Sequence, residues 1–335
     1  MDKNTLISID TKFRLETIEE LLTEPLHQVV QKIQHTIVTD YALVNQSALH
    51  LFNAGGKRVR PMLLLLTSGL TGGINQESIE LAATVEMIHT ATLIHDDIVD
   101  ESPLRRGRVS VNGKWGNQVA VLVGDYLYAK ASTRVAQNGI FKYSQILAEA
   151  TTEMCLGEIR QIEQEGNFQI TESEYLEIIR RKTGILMSVC AELGGLVNNI
   201  SPDKASALRQ YGLGLGIVFQ LIDDTLDFTA NLTQLGKPTN HDFHHGKITL
   251  PLIHLRDHLE SQPRTQLLAF AEKPMNNADV TWLNELLWFH NSVGYVREYA
   301  EKLVQEANQH LALFPDSEYK TALLNLGECL INRDK

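Results

Sequence analysis

The sequence has few cysteines, no long apolar run and no leader-like beginning. Its three cysteines, Cys155, Cys190 and Cys329, are scattered and lack the spacing of a disulfide framework or a metal site. The longest apolar stretches, such as residues 62–66, are too short to span a bilayer. Residues 1–10 lack the basic and apolar segments of a signal peptide. We therefore expect a cytoplasmic protein with reduced thiols and no transmembrane segment.

Positive charge is also scarce. The 335 residues carry a formal net charge of −11, which argues against nucleic-acid binding as the main activity, because contacts to a phosphate backbone need a basic surface. The sequence also lacks the glycine patterns of a Rossmann fold or a P-loop, and no linker or low-complexity stretch divides it. We therefore predict one domain that covers residues 1–335.

What the chain does contain, from end to end, is helical periodicity. In residues 77–100, apolar side chains recur at three- and four-residue steps. The helices that we predict cover approximately residues 14–22, 25–46, 60–70, 77–100, 117–137, 141–165, 172–198, 203–230, 247–260, 279–290, 294–313 and 318–332. Glycine, proline, serine and asparagine pairs separate them. The predicted fold is all-α: a single large helical bundle of about a dozen helices around a central cavity.

Two copies of the pattern Asp-Asp-x-x-Asp, at residues 96–100 and 223–227, lie within these apolar stretches. Positions four residues apart share one face of a helix, about 6 Å apart along its axis, so the first and last Asp of each motif point the same way. Buried carboxylates are costly unless a cation neutralises them. Carboxylate oxygens without Cys or His suit Mg²⁺ or Mn²⁺, and Mg²⁺ completes its shell with water and substrate phosphates. The motifs therefore favour a diphosphate site over two solvated acidic surfaces.

Basic side chains cluster beside glycines and beside the first Asp motif. Residues 55–61 place two glycines and three cations directly before a predicted helix, and three arginines lie within residues 104–108. Backbone N–H groups at a helix start help to hold an anion, and Arg forks bind phosphate with directional hydrogen bonds. Lys182, Lys237 and Lys247 are isolated, and an isolated Lys is more often a solvated surface charge.

These motifs together resemble those of the trans-type polyprenyl diphosphate synthases, the chain-elongating prenyltransferases. The resemblance extends from Gly55 to about His254, and the C-terminal third is less distinctive. Besides the segments above, it rests on residues 88–95, 121–127, 182–183, 219–222, 235–238 and 246–252. One departure is the pair His244 and His245, which stands where many relatives carry a charged pair. We assign neither histidine a role.

The resemblance implies an isoprenoid-synthase fold and a single polyprenyl synthase domain, with an allylic diphosphate held on three Mg²⁺ ions between the Asp motifs. The metal ligands would be Asp96, Asp100 and Asp223. The residues implied in catalysis are Asp96, Asp97, Asp100, Asp223, Asp224 and Lys182. Those implied to bind isopentenyl diphosphate are Gly56, Lys57, Arg60, His89 and Arg106. Those implied to contact the allylic substrate are Arg105, Lys182, Thr183, Gln220 and Lys237.

The implied reaction is head-to-tail condensation of isopentenyl diphosphate with an allylic diphosphate, farnesyl diphosphate or a similar starter. Diphosphate departs once its charge is compensated, and the allylic cation must then be shielded from water. The double bond of isopentenyl diphosphate attacks this cation, and loss of a proton gives a longer allylic diphosphate. The resemblance also implies a homodimer and a membrane-associated product.

The expected product length depends on Ala91 and Thr92, which lie five and four residues before Asp96, about one helical turn deeper. In short-chain relatives a bulky aromatic residue closes the tunnel here. Two small residues therefore predict a medium-to-long all-trans product, octaprenyl-like, for a quinone side chain. A shorter-chain synthase, making geranylgeranyl or farnesyl diphosphate, and the catalytic subunit of a two-component synthase are the alternatives.

Two other reactions on the same scaffold fit the sequence less well. Terpene cyclases carry an Asn/Ser/Glu-type second metal motif and need no isopentenyl site, whereas residues 223–227 are of the all-Asp type and the basic cluster at residues 55–61 is present. The same cluster disfavours head-to-head condensation. We therefore expect chain elongation.

Overall fold

Helices account for nearly all of the residues that the computed structural model describes, namely residues 3–52, 55–105, 107–137, 141–229, 241–270 and 276–333. Arg106 and Lys237, both expected to contact substrate, lie outside these residues. The helices are α1 (Lys3–Ile37), α2 (Ala42–Phe52), α3 (Val59–Thr71), α4 (Gln76–Val99), α5 (Val111–Trp115), α6 (Asn117–Gln137), α7 (Phe141–Glu163), α8 (Glu172–Ile179), α9 (Ile185–Leu196), α10 (Pro202–Thr229), α11 (His241–His244), α12 (Leu250–His258), α13 (Ser261–Ala269), α14 (Asn277–Phe289), α15 (Ser292–Gln309) and α16 (Glu318–Ile331).

Short irregular elements complete the described chain. A π-helical turn, Arg180–Gly184, joins α8 to α9, and a 3-10 turn, His310–Leu313, follows α15. Two-residue strands β1 (Leu104–Arg105) and β2 (Arg108–Val109) pair as an antiparallel hairpin directly after α4. The predicted all-α fold is confirmed.

Local sequence signals explain where several helices begin. Asn75 caps α4, because its side chain accepts a hydrogen bond from the Ser78 N–H while Ser78 bonds back to the Asn75 backbone. Thr171 and Glu174 form the same reciprocal arrangement at the start of α8. Such caps satisfy backbone donors that the first helical turn leaves without partners.

The N-terminal prediction of two helices, 14–22 and 25–46, is wrong. Helix α1 continues through Pro25, and the break lies after Ile37. Proline removes a backbone donor and disfavours a helix interior, but the apolar stripe of α1 keeps its helical spacing across this position and packs on α4 and α16. Its fully buried members are Ile18, Leu22, Val29, Ile33 and Ile37. Burial of this stripe therefore outweighs the lost hydrogen bond.

Helices α4 and α7 flank the space that matters for function. Helix α4 packs on α6 and α9, and α7 packs on the same two helices. Thr92 of α4 and Thr151 and Met154 of α7 line the cavity that remains between them. Helix α10 packs closely on α9 and on the π turn, since a Cβ at Gly216 would lie 2.7 Å from the Gly184 Cα. This contact brings the second Asp motif to the same cavity.

None of the described helices combines the length and apolar character that crossing a bilayer requires.

Candidate active site

A cavity of about 780 Å³ opens between α4, α7, the π turn and α10. Most of the residues singled out from the sequence contribute to its wall. Those that line it are Gly56, Lys57, Arg60, His89, Thr92, Asp96, Asp100, Arg105, Lys182, Thr183, Gln220, Asp223 and Asp224. The fold thus gathers residues that are more than a hundred positions apart in the chain into one site.

The two outer carboxylates of the first Asp motif lie in different electrostatic surroundings. Burial raises the pKa of Asp96 to about 6, and the positive charge of Lys182 offsets this only in part. Burial would also raise the pKa of Asp100, but the charge and hydrogen bond of Lys247 outweigh it and lower that pKa. The Lys247 Nζ lies 2.9 Å from the Asp100 Oδ1. A bound cation would therefore stabilise the charged form of Asp96 more than that of Asp100.

The middle carboxylate of the first motif lies behind the cavity wall. Asp97 is 1% exposed, and its Oδ1 accepts a hydrogen bond from the Arg105 Nε at 2.6 Å. Asn112 donates to the main-chain oxygen of Asp97 at 2.9 Å. Arg105 belongs to β1, so the hairpin and Asp97 together hold this guanidinium group at the cavity. A direct catalytic role for Asp97 stays a prediction, and its contact in the structure is with Arg105.

In the second motif, too, one carboxylate faces the cavity and its neighbour is buried. The Asp223 Oδ1 accepts a hydrogen bond from the Arg333 Nη2 at 2.9 Å, whereas Asp224 is only 5% exposed and accepts bonds from Tyr175 and Gln220. Burial, with the negative charge of Asp242 nearby, raises the pKa of Asp224. Asp223 is therefore the member of the pair available to a metal.

The π turn presents two polar side chains to the cavity. The Lys182 Nζ lies 2.6 Å from the Glu158 Oε2 of α7 and donates to the Gln161 side chain at 3.2 Å. The Thr183 hydroxyl donates to the Gln220 Oε1 at 2.8 Å. A π turn often marks a functional site, because the extra residue changes which side chains face the cavity.

A separate basic corner forms between α3 and α4. The Arg60 Nη1 and the His89 Nε2 are 2.9 Å apart, and the Arg60 guanidinium carbon lies 6.0 Å from the centre of the Phe219 ring. Lys57 and Gly56 also line the cavity. This corner has the composition of an anion site, next to but distinct from the carboxylates.

Sequence reasoning missed several residues of the site. Arg333 follows α16, far from any motif, and its guanidinium group stacks on the Phe219 ring at 4.1 Å and donates to the Phe219 main-chain oxygen at 2.8 Å. Glu158, Tyr175 and Asp242 also line the cavity. Lys247, an isolated lysine within the resembling segment 246–252, faces Asp100. Arg333 gave no sequence signal, because a single sequence does not show that an Arg near its C-terminus is buried.

The two residues expected to set product length differ in their exposure to the cavity. Thr92 borders the cavity, and its hydroxyl donates to the His89 main-chain oxygen at 2.8 Å. Ala91 is 2% exposed and belongs to the packed core. A larger side chain at position 91 would therefore first crowd the core, whereas one at position 92 would enter the cavity. The role of both residues stays a prediction.

The donor set fits a hard divalent cation. Oxygen-only side chains from two helices face one cavity, and the half-buried carboxylate of Asp96 is destabilised by desolvation in a way that a bound cation would reverse. Among the described residues, no cluster of three or more His, Cys, Asp or Glu side chains could hold an ion by itself. Mg²⁺ is commonly bound by one or two carboxylates, with water and substrate phosphates completing its shell.

Comparison with known proteins gives a consistent result. The family model for polyprenyl synthetase matches residues 41–287. An octaprenyl diphosphate synthase of Haemophilus influenzae is 35% identical over 334 residues, 100% of both chains. A geranylgeranyl diphosphate synthase of Saccharolobus solfataricus is 34% identical, over 93% of this chain and 97% of its own.

A solved structure agrees in fold as well. The polyprenyl synthase of Caulobacter crescentus, crystallised with calcium and isoprenyl diphosphate, has a TM-score of 0.91 and 34% sequence identity, covering 96% of this chain and 98% of its own. Enzymes of this family depend on a divalent metal and use isopentenyl and allylic diphosphates. The chain belongs to the polyprenyl synthetase family and is a prenyltransferase that elongates prenyl diphosphates.

Proposed function

We propose that this enzyme extends an allylic diphosphate such as farnesyl diphosphate with isopentenyl diphosphate and releases a medium-to-long all-trans polyprenyl diphosphate, octaprenyl-like, for a quinone side chain. Residues 1–335 act as one catalytic domain. The observation that carries the proposal is the pair of Asp motifs on α4 and α10, which line one cavity together with a separate basic corner. A cyclase needs no such corner.

Asp96, Asp100 and Asp223 would hold three Mg²⁺ ions, for which Mn²⁺ could substitute, and the bound metal supplies charge compensation for the departing diphosphate. Lys182 and Arg105 would bind diphosphate oxygens that face away from the carboxylates. Asp97 would keep Arg105 in place, because their 2.6 Å contact is buried on the Asp97 side. Gln220 and Thr183 would lie beside the reacting carbon.

Isopentenyl diphosphate would bind at the basic corner. Arg60 and His89 are already in contact at 2.9 Å, and Lys57 and Gly56 lie beside them at the cavity wall. Arg333, stacked on Phe219 and paired with Asp223, adds a guanidinium group between this corner and the second motif. The apolar wall of α4 and α7 would exclude water from the allylic cation.

The space between α4 and α7 supports a long product. Its walls carry small or flexible side chains at Thr92, Thr151 and Met154. Beyond the residues that line the cavity, Tyr143 of α7 lies close to Glu77 of α4. Along α4 this pair lies about 28 Å below Asp96. We propose that it forms the floor against which the growing chain stops.

The helices around the cavity also support a homodimer. Large apolar side chains on α6 and α7 are exposed on the outside, where single chains rarely present several together. They include Leu122, Leu156, Ile159 and Ile162. A second copy of the chain would cover them.

The direct test is incubation of the purified chain with isopentenyl diphosphate, farnesyl diphosphate and Mg²⁺, followed by chain-length analysis. We expect polyprenyl diphosphates of octaprenyl-like length without a second protein. Asp96→Ala and Asp223→Ala should remove most turnover and keep the helical content. Asp316→Ala, a control at a fully exposed carboxylate outside the cavity, should act like the unchanged chain. A cyclic hydrocarbon product, or near-normal turnover in either motif variant, would contradict the proposal.

Product length is tested with two neighbouring substitutions. Thr92→Phe should shorten the product, because the ring enters the cavity at the level of the first isoprene units. Ala91→Phe should shorten it as well, but with a loss of stability, because position 91 is packed. An unchanged product distribution in both variants would remove the argument for these two positions.

A further inference from the structure

Tyr175 of α8 lies where three functional segments meet. Its side chain is 4% exposed, and its hydroxyl group donates a hydrogen bond to the Asp224 Oδ2 at 2.6 Å. Helix α12, which begins at Leu250, packs on α8 beside this tyrosine. One phenol thus bonds α8 to the second Asp motif and lies next to the start of α12.

A second link runs parallel to the first. The other oxygen of Asp224, Oδ1, accepts a hydrogen bond from the Gln220 Nε2 at 2.6 Å. The Oε1 of Gln220 in turn accepts the bond from the Thr183 hydroxyl at 2.8 Å. Thr183 lies in the π turn that continues α8, next to Lys182. Both oxygens of the Asp224 carboxyl group are therefore tied to the segment that carries Lys182.

The segment that precedes α12 contacts the first Asp motif. Leu250 follows the loop that contains Lys247, and the Lys247 Nζ lies 2.9 Å from the Asp100 Oδ1. Lys182 lies 2.6 Å from Glu158 and lines the same cavity as Asp96. Lys182 is thus tied to the second motif through Thr183 and Gln220, and Lys247 lies in the segment that leads to the start of α12, next to Tyr175.

We propose, on the basis of the prenyl transfer proposed above, that Tyr175 is a positioning residue for the diphosphate site. Its hydroxyl group sets the separation between Asp223 and the ammonium groups of Lys182 and Lys247. That separation decides whether a bound diphosphate can be held at Asp223 and contact the two ammonium groups at the same time. Buried hydrogen bonds to a carboxyl group are strong and directional, so loss of this one would let the three segments shift relative to one another.

The simpler explanation is that Tyr175 only fills the core, and the chain offers a matched control. Tyr211 of α10 is also fully buried, and its hydroxyl group donates to the Leu323 main-chain oxygen at the same distance of 2.6 Å. That bond joins α10 to α16, away from the cavity. Tyr175→Phe and Tyr211→Phe each remove one buried hydroxyl group, so a purely structural role predicts the same effect for both.

The experiment compares the two variants in thermal unfolding, in steady-state kinetics and in Mg²⁺-dependent binding of an unreactive thio-analogue of farnesyl diphosphate. We expect similar losses of melting temperature. Only Tyr175→Phe should lower kcat, by about tenfold, and raise the Mg²⁺ concentration needed for half-maximal analogue binding several-fold. Its KM for isopentenyl diphosphate should stay within about twofold, because Arg60 and His89 lie outside this network.

A double-mutant cycle tests the bond itself. Asp224→Ala removes the acceptor of this bond and should reduce analogue binding at least as much, and the two losses should not add in the double variant. If Tyr175→Phe does not fold, Asp224→Ala tests the same bond from its other end. Additive losses, or equal kinetics for Tyr175→Phe and Tyr211→Phe, would overturn the inference while the unchanged chain still elongates prenyl diphosphates. Absence of any elongation by the unchanged chain would instead overturn the proposed function.

Discussion

Replacing Asp96 by Asn should stabilise the metal-free protein, although it removes a carboxylate that we expect catalysis to need. Burial raises the pKa of Asp96 to about 6, from an ordinary value of 3.8. A carboxyl group whose pKa is raised by folding destabilises the folded state. This destabilisation is complete at a pH above the folded pKa, and it disappears as the pH falls to the unfolded pKa. The difference corresponds to about 3 kcal/mol at neutral pH, at about 1.4 kcal/mol per pH unit.

Asp100→Asn is the matched control, because the same change one turn along the same helix should have the opposite sign. Lys247 outweighs burial and lowers the pKa of Asp100. A lowered pKa stabilises the fold above the unfolded pKa, and this gain is lost as the pH falls through the folded value. Asp100→Asn should therefore destabilise the protein at neutral pH and leave Lys247 without its 2.9 Å partner.

The assay is thermal unfolding with a chelator, at pH 7 and pH 5. Unfolding entropy of about 2.1 cal/mol/K per residue converts 3 kcal/mol into about 4 °C for a chain of this length. Asp96→Asn should gain about that much at pH 7 and about half of it at pH 5. When Mg²⁺ and diphosphate are added, they bind to the unchanged chain and stabilise it. The unchanged chain should then unfold at a higher temperature than Asp96→Asn. A loss of stability for Asp96→Asn at pH 7 without metal would refute the reasoning.

Three further predictions concern single side chains. Tyr143→Ala should lengthen the product distribution measured by chromatography, because it removes the aromatic ring of the proposed floor between α7 and α4; an unchanged distribution would place the floor elsewhere. Asp97→Ala should lower the free energy of unfolding in denaturant by about 3 kcal/mol, because it leaves Arg105 without its buried carboxylate; a change below about 1 kcal/mol would contradict that account. Ile159→Asp should shift the particle mass in light scattering towards that of one chain, since a charge would face the covered apolar surface; an unchanged mass would argue against this interface.

The fold class could be predicted because the helical spacing of apolar residues is a local property. Helix α6 matches its predicted range, 117–137, without error. The prediction failed at Pro25, because the local preference of proline opposes a helix. The contacts of α1 with α4 and α16, which the sequence does not show, keep this segment helical. Helix α13 was not predicted. Leu267 is its one fully buried side chain, so its apolar pattern is too weak to detect in the sequence.

The site was predictable where residues of one motif act together. The Asp motifs and the cluster at residues 55–61 each place several charged groups within a few positions, which a single sequence displays directly. Arg333, Glu158 and Tyr175 contribute through contacts with residues 24 to 110 positions away, and each alone has the composition of an ordinary surface or core residue. Asp97 and Asp224 were placed in the correct motifs, but their inward direction depends on Arg105 and Tyr175, which only the folded chain brings close.

The most direct test of metal-mediated diphosphate binding is calorimetric titration of the unreactive thio-analogue of farnesyl diphosphate, with Mg²⁺ and with a chelator. We expect the unchanged chain to bind only when Mg²⁺ is present, and Asp96→Ala and Asp223→Ala to bind at least about a hundredfold more weakly, a loss of about 3 kcal/mol. Equal affinity with the chelator, or undiminished affinity in either variant, would show that the two acidic motifs do not hold the substrate through metal ions.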